Sequence, residues 1–464
     1  MQKLERRVRF GIGSLSIVAV GVAHGSGFSL LEQSASQMGT AYAGAGSSID
    51  DVTAMYYNAA SLTYLAGTEL AVVGSGIDIS SKFSNRNSQP AFGQPLGNSG
   101  GDAGGTSFVP AAYAAMPLND KLAIGLGINV PFGLKLHYDE DGWIGRYQAL
   151  KSEIKTINVN PTLAYQLTDT LSIGVGVDYQ QVDAELTNAV NYSGIVAQGA
   201  QQAVAGGALS STALPSLLAT TQGLDGRVAV KGDDDGWGFN LGILYAPSDT
   251  TRVGLSYRST IKYRISGTVR FIAPTIDNPI ASFIAASAGA PGGPVASSSG
   301  YVDLRVPDTT MLSAAQRIGP KFELFADVAL VGWSSVHEIR VRRNTGETVS
   351  VSPSHWKDAW RFALGGAYDL SPTWKLRAGV TYDQSQIPDA TRTARLPDSS
   401  RTIVAIGAQW RPSEAMKVDF AYGHLFSPDA SLNQDDGNAA QYGVLNGEQR
   451  SNIELLSAQL VYRF

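Results

Sequence analysis

Hydrophobic residues recur at every second position along most of this chain. In residues 171–179, Leu171, Ile173, Val175, Val177 and Tyr179 alternate with Ser172, Gly174, Gly176 and Asp178. Residues 360–370 set Trp360, Phe362, Leu364, Tyr368 and Leu370 against Arg361, Ala363, Ala367 and Asp369. In residues 252–265 the apolar set is Val253, Leu255, Tyr257, Ile261, Tyr263 and Ile265. A period of two places successive side chains on opposite faces of a strand. These segments run to about 10–16 residues, longer than the roughly 5–6 of a soluble sandwich strand. A tilted strand that crosses a bilayer needs about 9–11, so length favours membrane strands. The apolar parity then faces lipid, and the small or charged parity faces a lumen. Lys155, Lys262, Arg264 and Arg361 fall on the inward parity. Aromatics end the apolar rows (Tyr165, Trp237, Tyr245, Tyr368, Trp410, Tyr422, Phe426), as in the belts that mark membrane interfaces.

Fourteen strands are predicted, at 68–80, 107–116, 121–130, 153–166, 171–186, 236–246, 251–266, 302–317, 321–343, 357–370, 373–384, 401–411, 416–426 and 453–464. Six connections are short turns, such as "PLND" at 117 and "LTDT" at 167, and seven are long. An even strand count with short turns at one end and long loops at the other is the pattern of a bacterial outer-membrane barrel. The expected fold is all-β: a 14-stranded antiparallel transmembrane β-barrel spanning residues 68–464. Loop 187–235, rich in Ala, Gly, Ser and Gln, suggests short external helices, and "FIAAS" in loop 267–301 suggests another helical turn.

Composition agrees. Charged residues are 16 % of the 464, glycines number 51, and cysteine is absent, which excludes disulfides and thiolate metal sites. A net charge of −5 gives no reason to expect nucleic acid as a partner. Residues 1–25 read as an export signal, with Lys3, Arg6, Arg7 and Arg9 before an apolar core and small residues Ala23 and Gly25 before the expected cleavage site. That core is about 14 residues, short of the roughly 20 that a spanning helix needs. The chain ends "AQLVYRF", with Ala458, Leu460, Tyr462 and Phe464 on one parity. A terminal aromatic there resembles the signal read by the outer-membrane barrel assembly machinery, so Phe464 is its expected contact.

Residues 26–67 lack membrane-length alternation and mix small residues with isolated apolar ones such as Leu30, Leu31, Met38, Tyr42, Tyr56 and Tyr57. A segment of this kind before a wide barrel is expected to fold inside it as an N-terminal hatch, or plug, within the lumen. In "INVPFGLKL", residues 128–136, Pro131 and Gly133 interrupt a strand. Proline cannot donate to a ladder. The residues alone leave open whether the strand breaks there or simply ends at Val130.

The text "GFSLLEQSASQMGTAYAG" followed by "IDDVTAMYYNAASL" resembles the hatch of the long-chain fatty acid transporter family of Gram-negative outer membranes, which includes toluene and other hydrocarbon channels. The likeness continues through "VPFGL", "GRYQALKSEIKTINVNPTLAYQLTDTLSIGVGV", "WKDAWRFALGGAYDLSPTWKLRAGVTYDQSQIP" and "LPDSSRTIVAIGAQW". One departure is Asn58-Ala59-Ala60, where the family usually has Asn-Pro-Ala. The resemblance implies passive uptake of hydrophobic compounds, long-chain fatty acids or hydrocarbons, by lateral diffusion through a gap in the barrel wall. It places that opening at a kink of the third strand, on Val130, Pro131, Phe132 and Gly133, facing the second strand near Ser107 and Pro110. It sets Phe28 beside the ligand pocket as a movable gate, with Asn58, Ala59 and Ala60 in the hatch. We expect Asn58 to satisfy the backbone groups freed at the kink. The family's fatty acid members carry basic pocket residues. Around "DAELTNAVNYSG" and "VSVSPSHWKD" this chain has Thr, Asn and Ser, which keeps an uncharged hydrocarbon as an alternative cargo.

Expected surroundings are outer-membrane lipids and lipopolysaccharide, with the protein acting as a monomer and needing no cofactor or metal. A non-specific water-filled porin is the rival reading. Enzyme chemistry is not expected, since His137 and His355 stand in loops with no Ser/Asp constellation to serve them.

Overall fold

In a computed structural model the described residues are 27–139 and 142–464; the export signal expected at residues 1–25 lies outside them. Among the described residues no helix is long and apolar enough to span a membrane, and the crossing is made by strands. The wall is a closed antiparallel barrel of 14 strands. Its first half comprises β1 (Glu69–Asn85), β2 (Gly105–Pro117), β3 (Leu122–Asn129, resuming as Gly133–His137), β4 (Lys151–Thr168), β5 (Leu171–Asn191), β6 (Asp225–Ser248) and β7 (Thr251–Arg258 and Ile261–Ile272). The second half comprises β8 (Ser298–Val306 and Thr309–Ile318), β9 (Phe322–Val331 and Glu338–Arg343), β10 (Thr348–Pro353 and Ala359–Ser371), β11 (Trp374–Asp383), β12 (Arg401–Ser413), β13 (Met416–Phe426 and Ala430–Gln434) and β14 (Leu445–Arg463). β1 closes on β14, from Glu69↔Arg463 to Asn85↔Gly447.

The two parities separate as membrane strands require. On β11, Trp374, Leu376, Val380 and Tyr382 are exposed to the outside, whereas Lys375, Arg377, Thr381 and Asp383 are buried inside. The aromatics that end the apolar rows, Tyr165, Trp237, Tyr245, Tyr368, Trp410, Tyr422 and Phe426, all stand exposed on the outer face. Past the membrane, β5 and β6 continue as a long hairpin to Asn191↔Asp225, so both are longer than the alternation indicates. The loops at that end carry the helices Tyr192–Ala205, Leu214–Ala219 and Pro279–Gly289.

Of the four basic residues on the inward parity, only Arg361 is buried in the lumen. Lys262 and Arg264 face outward, because β7 breaks at Ser259–Thr260 and Ile261, Tyr263 and Ile265 turn inward beyond the break. One inserted residue reverses every later side chain. Lys155 is also on the outward row, beside Ile157 and paired with Glu153, since Ser152, Thr156 and Asn158 take the inner face.

Residues 27–67 fill the lumen. They form the short helix Ala35–Met38 and three 3-10 turns, Ala45–Ser47, Val52–Tyr56 and Ala59–Tyr64. Wall glycines let this plug come close: a Cβ on Gly379 would sit 1.9 Å from the Thr40 carbonyl, and one on Gly242 2.1 Å from Asn58 Oδ1. Polar wall residues hold it. Asp327 accepts from the amides of Gly44 and Ala45 at 2.9 and 3.0 Å, and Arg258 donates to the Tyr56 carbonyl at 2.8 Å. Asp50 meets Lys375, Arg377 and Lys417 of the wall. Burial pushes the Asp50 carboxyl up, but the three cations outweigh it and hold the group well below the ordinary carboxylate range. Glu32, whose main influence is burial, with only Arg401 as an opposing charge, stays raised.

Candidate functional site

The third strand does not end at Val130; it kinks and resumes. Before the kink Asn129 pairs with Asn158, and after it Gly133 pairs with Lys155. Three residues, Val130, Pro131 and Phe132, thus oppose two on β4, which is a bulge of one residue. On the other side the ladder between β2 and β3 runs only from Pro117↔Ala123 to Ala112↔Ile128. Residues 105–111 of β2 pair with β1 alone. The wall closes again above, where the His137 amide donates to the Ala103 carbonyl at 3.0 Å. Extending the register would set Ser107 opposite Gly133 and Pro110 opposite Val130, but no ladder joins them. The structure therefore brings Ser107, Pro110, Val130, Pro131, Phe132 and Gly133 together around one gap.

Where the kink's backbone groups go explains why the gap persists. The Val130 amide donates to Gln33 Oε1 at 3.2 Å, and its carbonyl accepts from Gln33 Nε2 at 2.7 Å. Pro131 has no N–H; its carbonyl accepts from the Leu30 amide at 2.8 Å. The Phe132 amide donates to Thr156 Oγ1 at 3.0 Å, and that hydroxyl donates back to the Phe132 carbonyl at 2.7 Å. The Gly133 amide donates to the Phe28 carbonyl at 2.9 Å. The plug and β4 thus satisfy the kink, and β2 receives nothing.

Asn58 takes no part in this, contrary to the expectation from sequence. Its Nδ2 donates to the carbonyls of Gly46 at 2.7 Å and Ile243 at 3.0 Å, and its Oδ1 caps the turn Ala59–Tyr64 by accepting from the Ala60 amide. It lies against β6, with Ala59 and Ala60 buried beside Gly174. Ala59 opens the turn at the one helical position that tolerates proline, so the family's Asn-Pro-Ala and this Asn-Ala-Ala fit the same backbone. Gln33 does the work assigned to Asn58. A glutamine between charged and small residues gave no periodic signal in the sequence.

Phe28 is buried and joins an aromatic cluster. Its ring lies 5.8 Å from Phe132, 5.0 Å from Trp333 and 6.4 Å from Trp356. Trp333 and Trp356 were not singled out from the sequence, although both stand where alternation lapses, in "VGWSSVHE" and "SPSHWKD". The cluster belongs to one continuous apolar core with Val109, Val130 and Leu134 at the gap. Toward the loops, an open cavity of about 650 Å³ is lined by Tyr192, Phe271, Ile276 and Val295 together with Arg343 and Glu347. Replacing Gln33 by Leu leaves both the Val130 amide and carbonyl without partners, a cost of about 1–3 kcal/mol. We expect the Val130 amide to exchange on the order of tenfold to a hundredfold faster in hydrogen-exchange mass spectrometry, with the barrel strands unaltered.

A closed barrel plugged from inside and unpaired at one side defines a transport channel of the Gram-negative outer membrane. The sequence profile described as "Outer membrane protein transport protein (OMPP1/FadL/TodX)" matches residues 16–464, and the chain belongs to that family. It is 28% identical over 430 residues to the long-chain fatty acid transport protein of Escherichia coli O6:H1, covering 90% of this chain and 91% of the relative. It is 27% identical over 435 residues to outer membrane protein P1 of Haemophilus influenzae, covering 89% of each. Its fold matches a Pseudomonas aeruginosa FadL homologue with a TM-score of 0.83 at 24% identity, over 95% of this chain and 100% of the other. The Pseudomonas putida toluene transporter TodX matches with a TM-score of 0.62 at 18% identity, over 89% and 94% of the two chains.

Proposed function

We propose that this protein takes up hydrophobic molecules passively and releases them sideways into the membrane through the gap between β2 and β3. Cargo gathers at the aromatic cluster around Phe28 and leaves past Pro131. The observation that carries this reading is the unpaired edge of β2 at residues 105–111, facing a kink whose backbone is bonded only to the plug and β4. The seal is conditional. A ligand that displaces Phe28 also withdraws the bonds from residues 28–33, so occupancy of the pocket and opening of the wall are one event.

A sideways exit suits a greasy solute. Passing directly from an apolar pocket to lipid keeps its surface out of water, worth roughly 25 cal/mol per Å². No energy source is required. The names of the relatives give the cargo class as long-chain fatty acids or hydrocarbons. Plug, pocket and gap all come from one chain, so a single copy suffices, and the reading assigns no catalytic step and no cofactor. Phe464, 73% exposed beside Tyr462 on the lipid-facing row, is offered to the barrel assembly machinery, and the exposed apolar belt meets membrane lipid and lipopolysaccharide.

Intrinsic fluorescence tests the pocket. Adding a spin-labelled fatty acid to the purified protein should quench emission saturably, and replacing Trp333 and Trp356 by Phe should remove most of that quenching. Quenching that never saturates, or that survives the double replacement, would place the ligand elsewhere.

A further inference from the structure

The wall is interrupted a second time, between β8 and β9. These strands pair from Ile318↔Phe322 to Thr309↔Val331, and again from Val302↔Val341 to Gly300↔Arg343. Between those stretches residues 303–308 and 332–340 share no ladder; one bond crosses, from the Gly332 amide to the Asp308 carbonyl at 2.9 Å. The 3-10 turn Trp333–Ser335 replaces the strand there, and β7 breaks at the same level. A cavity of about 430 Å³ occupies this window.

The window has a charged rim and an apolar floor. Below it the outward faces of β7, β8 and β9 carry Val253, Leu255, Leu312 and Val328, all exposed and lipid-facing. At its level the outward row turns to Lys262, Arg264, Asp303 and Arg305. It therefore opens where the wall leaves the hydrocarbon, on the side of the long loops. Arg264 is paired with Asp303 at 2.9 Å and Arg340 with Glu338 at 2.6 Å. Lys262, Arg305 and Arg342 also line the cavity, and among the described residues none of the three is in a salt bridge. The floor is Tyr263, Leu304 and Val336, all buried and part of the same apolar core as Phe28, Trp333 and Trp356. The Tyr263 hydroxyl, on a side chain that is 3% exposed, has no hydrogen-bond partner among the described residues.

We propose that this window is a second side port, which admits a single-chain amphiphile with an anionic head, a long-chain carboxylate, from the outer leaflet to the aromatic cluster around Phe28. The proposal rests on the uptake function given above and narrows its cargo. Lys262, Arg305 and Arg342, in no salt bridge among the described residues, stand at the lipid–water boundary where they can hold a carboxylate while its tail remains in lipid; Arg342 also acts on Glu338. The tail then crosses Tyr263, Leu304 and Val336 to the aromatic cluster without meeting water, and the Tyr263 hydroxyl can donate to the head as it follows. A cavity of this volume takes one acyl chain, not a multi-chain lipid. A neutral hydrocarbon has no use for the rim. The chain therefore favours fatty acids over hydrocarbons, taking them in between β8 and β9 and releasing them between β2 and β3.

The test compares uptake of radiolabelled oleate and oleyl alcohol, which differ only in the head, by cells carrying the full-length protein. In the combined variant Lys262→Gln, Arg305→Gln, Arg342→Gln we expect the oleate-to-alcohol ratio at sub-saturating concentration to fall at least tenfold. Heat-modifiable mobility on gels verifies the barrel. Arg305→Glu, a single change at an exposed site, should shift the ratio in the same direction if the triple variant assembles poorly. An unchanged ratio overturns the proposal, whether both rates fall or neither does. So does loss of co-purifying lipopolysaccharide at constant ratio, which would make the rim a clamp for lipid A phosphates. Wild-type cells that import neither compound would instead refute the uptake function itself.

Discussion

Gly133→Arg should lower uptake of a hydrophobic substrate at least tenfold while leaving the amount of assembled barrel close to that of the parent. Leu134 and Leu136 are buried toward the core, so alternation puts Gly133 on the opposite row, where it is itself buried beside the unpaired edge of β2. The backbone there is fixed by the bond from the Gly133 amide to Phe28 and by the pairing with Lys155, and a side chain does not compete for either. An arginine brings a hydrated guanidinium into the passage between β2 and β3, from the aromatic cluster to lipid. An apolar solute must then displace water and a charge as it leaves, and a barrier increase of about 1.4 kcal/mol already gives tenfold. The side chain's stem can cross the apolar gap while its charge reaches toward the interface. Gly133→Ala, which adds a methyl and no charge, should retain most of the uptake. Radiolabelled uptake normalised to heat-modifiable barrel on gels makes the comparison. A Gly133→Arg chain that imports at the parent's rate would show that cargo does not leave beside Pro131.

The legible and illegible parts of this fold differ in physical origin. Lipid on one side and water or plug on the other impose period two on every strand, and all fourteen strands follow from it. Local irregularity imposes nothing periodic. The break at Ser259–Thr260 is written in ordinary polar residues, so alternation carried straight through it assigns Lys262 and Arg264 to the wrong face. Residues 321–343 read as one strand, yet Gly332 to His337 leave the ladder to form the turn that buries Trp333. Pro131 marks an interruption because proline lacks a donor, but whether the strand kinks there or ends at Val130 is not written in the residues themselves. What seals that kink is a side chain far away in sequence, Gln33, and a hydrogen bond between distant residues leaves no mark on either one's neighbours. Asn58 looked suited to the task on chemistry alone, but the plug's path carries it to β6.

Deleting residues 27–67 should convert the protein from a closed transporter into an ion-conducting pore. The wall behind the plug is polar. Lys375, Arg377 and Lys417 meet Asp50, Asp327 binds the amides of Gly44 and Ala45, and Arg252 donates to the Ser47 carbonyl at 3.1 Å. Without the plug these groups need water, and a 14-stranded wall is wide enough to admit it. Planar bilayers with the parent should show no stable conductance, and with the deletion discrete open steps. Small hydrophilic antibiotics should then enter cells that the parent excludes. The same deletion removes every plug group that satisfies the kink, namely Gln33, the Leu30 amide and the Phe28 carbonyl. Amides of Val130 and Gly133 should therefore lose protection from hydrogen exchange, while β11, paired along its full length with Arg401–Trp410 of β12, keeps its own. Selective uptake of hydrophobic cargo should disappear, because the aromatic cluster loses Phe28 and an aqueous bore now competes with the route through the wall. A deletion that conducts no better than the parent would mean that the barrel closes by other means, and that the plug is not what separates this channel from an open porin.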